Sequence, residues 1–67
     1  MSKLAIRLKE LREENELSAR ALAKELNLSD RAIQRWEKEE RIPNADNIIL
    51  LAKYFNVSAD YLLGLED

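Results

Sequence analysis

Apolar residues recur at helical spacing through most of the chain. Leu4, Leu8 and Leu11 fall on one stripe, the i, i+4, i+7 pattern of an amphipathic helix, and predict a first helix over about 2–14. Asn15-Glu16 then interrupts the stripe. Asn is, after Gly, the residue that best tolerates a left-handed backbone, so the helix is expected to end on Asn15. Two shorter patterns follow, over about 19–26 and about 30–38, joined by Asn27-Leu28-Ser29. Ser18 and Ser29 stand where N-caps are wanted, because a hydroxyl there accepts a bond from an otherwise unpaired backbone N–H. Ile42-Pro43-Asn44 stops the chain and restarts it, since the residue before Pro is pushed out of helical geometry and Asn44 can cap. A fourth helix, about 45–55, puts Ile48, Leu51, Ala52 and Phe55 on one face. After a turn at Asn56-Val57-Ser58 comes a fifth, about 59–63, ended by Gly64. No strand alternation, repeat or low-complexity run is present. The pattern predicts an all-α fold, a compact five-helix bundle, as a single domain over residues 1–67.

The second and third patterns carry the most specific signal. Leu22, Ala23 and Leu26 on one face Ile33 and Trp36 on the other, and two short helices joined by so tight a turn form a helix-turn-helix over about 18–38. In that arrangement the residues that build the core and those that could touch a duplex occupy different faces. Trp36, in phase with Ile33 and Leu26, belongs to the core.

Composition narrows the chemistry. The 67 residues contain no Cys and no His, which removes disulfides and the usual soft or borderline metal ligands. No loop has the carboxylate spacing of a Ca or Mg site, so no metal is expected. Without His, Cys or a glycine-rich loop, the usual acid–base, nucleophile and phosphate-cradle arrangements are missing, and no enzyme activity is expected. Glu37, Glu39 and Glu40 read as a charged helix end rather than a catalytic pair. Charges at Lys3, Arg7, Lys9, Glu10 and Arg12 interrupt the first residues, which fits neither a signal peptide nor a membrane span and points to a cytoplasmic location. The formal net charge of −2 is the wrong sign for a phosphate partner. Its distribution is uneven: residues 1–41 balance at +1 and residues 42–67 at −3.

The segments LKELREE, ALAKELNLSDRAIQRWEKEERIP and LLAKYFNVSADYLLG resemble the lambda-repressor-like, Cro-type helix-turn-helix (XRE) family, over nearly the whole chain from Leu4 to Gly64. The resemblance implies a five-helix domain that lays its third helix in the major groove of double-stranded DNA. It further implies a transcriptional regulator, a repressor on a palindromic operator, bound as a homodimer. Carried over position by position, it implies that Asp30, Arg31, Gln34 and Arg35 face the bases. Their chemistry suits that role, because Arg can bond bidentately to guanine O6/N7, Gln to adenine N6/N7, and Asp can accept from cytosine N4. It implies phosphate contacts at Ser18, Ala19, Ser29, Lys38 and Arg41, and an ion pair between Arg12 and Glu37. Leu50, Tyr54, Val57 and Leu65 do not fit the core stripes and lie where the family commonly dimerises, which makes them the candidate dimer interface. No cofactor, membrane or small-molecule substrate is implied.

Three positions depart from the family pattern. Ala19 stands where Gln commonly bonds a backbone phosphate, so one positioning contact is missing. Glu39 stands where Gly commonly takes a left-handed conformation, so the turn either changes shape or carries a penalty of roughly 1–2 kcal/mol. Glu39 and Glu40 would repel phosphates that Lys38 and Arg41 attract, and Arg7 and Lys9 read as solubilising charges. These departures and the acidic balance keep a rival reading open: a protein-interaction module on the same fold, antitoxin-like or antirepressor-like, with little DNA binding.

Overall fold

The structure, a computed structural model, describes residues 2–67; Met1, the first residue of the expected domain, lies outside them. Among the described residues there are five helices and no strand: α1 Lys3–Glu14, α2 Ala19–Glu25, α3 Ala32–Glu37, α4 Ala45–Phe55 and α5 Ala59–Leu63. They fold into a body of 29 × 23 × 21 Å. α2 packs on α3, α1 lies against both α3 and α5, and α4 packs on α5.

Four helices begin on a side-chain cap. Ser2 Oγ accepts from the Ala5 N–H, Ser18 Oγ from Ala21, Asn44 Oδ1 from Asn47 and Ser58 Oγ from Tyr61, each contributing about 1 kcal/mol. α3 differs from the sequence expectation. It starts at Ala32 rather than near Asp30, its cap position is Arg31, and no side chain caps it. Ser29 is therefore not the N-cap. Its backbone carbonyl instead accepts from the Ala32 N–H at 3.1 Å, closing a tight turn over Asp30-Arg31 of the i→i+3 kind that often precedes an α-helix.

All five helices end alike. The residues after them with positive φ are Glu16, Asn27, Glu39, Asn56 and Gly64, and the next N–H reaches back across the last turn. Leu17 donates to the Arg12 carbonyl, Leu28 to Ala23, Glu40 to Arg35, Val57 to Ala52 and Leu65 to Asp60. This double-bonded ending satisfies carbonyls that would otherwise lack partners. The left-handed residue after α1 is Glu16 at φ 56°, not Asn15, which keeps φ −94° and donates its amide to the Leu11 carbonyl. Gly64 is required twice over: its φ is +84°, and a Cβ there would stand 2.6 Å from that of Lys3.

The core joins Leu8, Leu22, Ala23, Ile33, Trp36, Leu51 and Leu62, with Leu4, Leu11, Leu26, Ile48 and Phe55 packed against it. Leu8, Leu22, Ile33, Leu51 and Leu62 are fully buried, and each contributes about 1.5–3 kcal/mol through removal from water. Arg7 is not merely a solubilising charge. Its guanidinium lies 4.2 Å from the centre of the Tyr61 ring and donates to the carbonyls of Tyr61 and Glu66. Ser58 Oγ donates to the Glu66 carboxylate as well, so α1 and α5 together hold the residues after Gly64.

Candidate nucleic-acid interface

Helical periodicity divides α3 into an inner and an outer side. Ile33 and Trp36 turn inward and are buried, whereas Gln34, Arg35 and Lys38 are exposed. The buried side fixes the rotation of the helix about its axis, because turning it would pull Ile33 out of a core packed to near-crystalline density. The polar residues are thereby held outward on a rigid element.

A second restraint comes from α1. Arg12 Nε donates to Glu37 Oε2 at 2.8 Å and Nη2 to Oε1 at 3.0 Å, while Nη1 donates to the Leu17 carbonyl at 2.9 Å. One guanidinium thus ties α1, the α1–α2 connection and α3 together. The two side chains are only 14% and 11% exposed, and the bond that Arg12 donates to Glu37 raises the Arg12 pKa above its ordinary value.

Three open recesses surround the outer side of α3. Arg20, Asp30, Arg31, Gln34 and Lys38 line the first, which therefore gathers three cations and one carboxylate on a chain whose net charge is negative. A second recess, beside α1, is lined by Lys9, Ser18, Ala19, Gln34, Lys38 and Glu39 together with the Arg12–Glu37 pair. The third, toward α4, is lined by Ser29, Arg35, Arg41 and Asn44 among others. The structure therefore brings Asp30, Arg31 and Gln34 together and places Arg35 around the helix, on the α4 side. The residues assigned to phosphate fall on both flanks: Ser18, Ala19 and Lys38 on one, Ser29 and Arg41 on the other.

Two features were missed by sequence reasoning. Arg20 reaches Asp30 across the helix-turn-helix, Nη2 to Oδ2, at 3.3 Å. The only signal for this was the tight turn, which brings the beginning of α2 near that of α3. Glu39 keeps the left-handed conformation, φ 62°, and turns its carboxylate to accept the backbone N–H of Ser2 at 2.8 Å. That bond lowers the Glu39 pKa, with a further contribution from the Ser2 side chain. The charge expected to face phosphates is thus engaged at the start of α1, where a carboxylate is favoured by the helix dipole.

Of the candidate dimer residues, Leu50, Tyr54 and Leu65 are exposed and Val57 is half-buried. The Tyr54 ring meets Phe55 edge-on at 5.1 Å. Among the described residues no group of three or more acidic side chains is placed to hold a metal ion, and no helix is long and apolar enough to cross a membrane.

The sequence model of the helix-turn-helix family matches residues 8–62. The HTH-type transcriptional regulator ImmR of Bacillus subtilis is 34% identical over 64 residues, spanning 96% of this chain and 50% of that protein. Repressor protein C2 of Salmonella phage P22 is 37% identical over 57 residues, 85% of this chain and 26% of its own length. The chain spans about half the length or less of these curated relatives. Among solved structures, the P22 c2 repressor in complex with a synthetic operator superposes with a TM-score of 0.84 at 33% identity, covering 94% of this chain and 96% of that one. The five-helix order described above is the fold of that repressor.

Proposed function

The chain belongs to the helix-turn-helix family, and from that membership we propose that it is a sequence-specific, double-stranded DNA-binding domain of a transcriptional regulator. It acts in the cytoplasm as a repressor on a palindromic operator. The observation that carries this reading is the outer side of α3, where Arg31, Gln34 and Lys38 share one open recess with Arg20 and Asp30 while Ile33 and Trp36 lock the same helix into the core. α3 enters the major groove, where Arg31, Gln34, Arg35 and Asp30 meet base edges. Ser18, Ser29, Lys38, Arg41 and the backbone at Ala19 flank the phosphates, which set the register. Two copies, joined through Leu50, Tyr54, Val57 and Leu65, place their α3 helices about 34 Å apart along one side of the duplex. Residues 1–67 act as one domain, with no cofactor, metal or catalytic step.

The test is a titration of fluorescent random-sequence duplex at low and then at higher salt, followed by selection of binding sites from a random duplex library. Weak binding that falls steeply with salt, and a selected site bound far more tightly, are the expected results. Undetectable binding at low salt by a chain with intact helical circular dichroism would overturn the reading. The acidic balance of residues 42–67 would then favour a protein partner.

A further inference from the structure

Arg20 lies outside the set of residues assigned to bases or phosphates, yet it faces the same open recess as Arg31, Gln34 and Lys38. Its guanidinium meets the Asp30 carboxylate at 3.3 Å, and the two side chains are 77% and 68% exposed. A pair this exposed contributes little to folding, so its consequence lies in what it presents to the recess. A lone carboxylate at Asp30 would be repelled by two phosphate backbones. Paired with Arg20, it is locally neutral and can enter a groove.

We infer that Arg20 and Asp30 act as one reading unit for a single G·C base pair. The inference rests on the DNA-binding reading. Arg20 engages Asp30 through one Nη2 proton, which leaves donors on both terminal nitrogens for the acceptors O6 and N7 of guanine. Asp30 uses Oδ2 toward Arg20, and its other oxygen is able to accept from cytosine N4. Donor and acceptor are thus presented side by side, in the order in which the major-groove edge of a G·C pair presents its acceptors and its donor. An A·T pair is a poorer match: its N7 still accepts one bond, but the second acceptor, O6, is replaced by the N6 amino donor of adenine, so the bidentate contact of Arg20 is lost. Arg20 is then a specificity-determining residue contributed by α2, in addition to those on α3 and its preceding turn.

Site selection and affinity measurements with the wild-type chain, Arg20→Ala, Arg20→Lys, Asp30→Ala and the double alanine variant test this. Because both residues are exposed, the variants should keep the wild-type circular dichroism. The wild-type site should contain a G·C pair whose discrimination over A·T falls by about 5- to 150-fold in Arg20→Ala. Asp30→Ala should relax the same position, and the double variant should lose no more than the worse single one. Arg20→Lys keeps the charge but not the planar fork, so it should keep the salt slope of binding while losing discrimination at that pair. Three results would overturn the inference: equal weakening on all sequences with the salt slope reduced by about one, which marks a phosphate contact; relaxation of different positions by the two single variants; or an Arg20→Ala site identical to the wild-type one. Failure of the wild-type chain to bind any duplex would sink the DNA-binding reading itself, whereas these results sink only the assignment of Arg20 and Asp30.

Discussion

Two arginine–carboxylate pairs meet at the helix-turn-helix, and they have different consequences. Arg12–Glu37 is a two-pronged fork between α1 and α3 with both side chains nearly shielded from water. Arg20–Asp30 is a single contact at 3.3 Å with both side chains mostly exposed. The charges are the same and the surroundings are not. Shielded, an arginine left without its carboxylate, or the reverse, retains a charge that water reaches poorly, so the pair is expensive to break. Exposed, each partner is well hydrated alone and the pair is nearly neutral for folding. Burial therefore assigns the first pair to the scaffold and leaves the second available to a ligand.

The largest expected effect tests the scaffold side of this contrast. Arg12→Ala should lower stability by about 2–4 kcal/mol in chemical denaturation, because Glu37 is stranded and the Leu17 carbonyl loses its donor. An unchanged midpoint would show that water compensates the pair and would erase the distinction. Asp30→Ala should move the same midpoint by less than about 1 kcal/mol, and any change should shrink at high salt. A loss as large as that of Arg12→Ala would make Arg20–Asp30 a structural brace.

Glu39 offers the finest discrimination, since it is exposed yet bonded to a backbone N–H. Its folded pKa lies below the ordinary carboxylate value. Its bond therefore contributes stability that is fully present above the unfolded pKa of about 4.3 and lost as pH falls through the folded value. Glu39→Gln removes that dependence, so denaturation midpoints between neutral pH and about pH 3 should fall less steeply than in the wild-type chain. Parallel curves would mean that the bond to Ser2 is not kept in solution.

Much of the fold was legible in residue order. Ser18 and Asn44 mark helix starts because capping is a contact within three residues, and the stripes at Leu8, Leu22, Ile33 and Leu51 mark the core because helical periodicity is local. The polar face of α3 was legible for the same reason, once Ile33 and Trp36 defined its inner side. Ser29 was misread because a hydroxyl before a polar pair suits a cap equally well as a turn. The choice fell to the turn over Asp30-Arg31, in which the Ser29 carbonyl, not its hydroxyl, is used.

Sequence by itself thus determined five helices, their order, their buried stripes and the outward polar set on α3, all consequences of interactions spanning one or two helical turns. Tertiary structure decided which distant groups meet. Arg12 and Glu37, 25 residues apart, were paired only through the family resemblance, while Arg7 and Tyr61, 54 apart, and Ser2 and Glu39, 37 apart, were not paired at all; none of these separations carries a local signal. It also decided that Glu16 and Glu39, poor choices for a left-handed backbone, would take it. The double-bonded helix ending requires that conformation at a fixed place, and packing of the five helices fixes the place whatever residue occupies it.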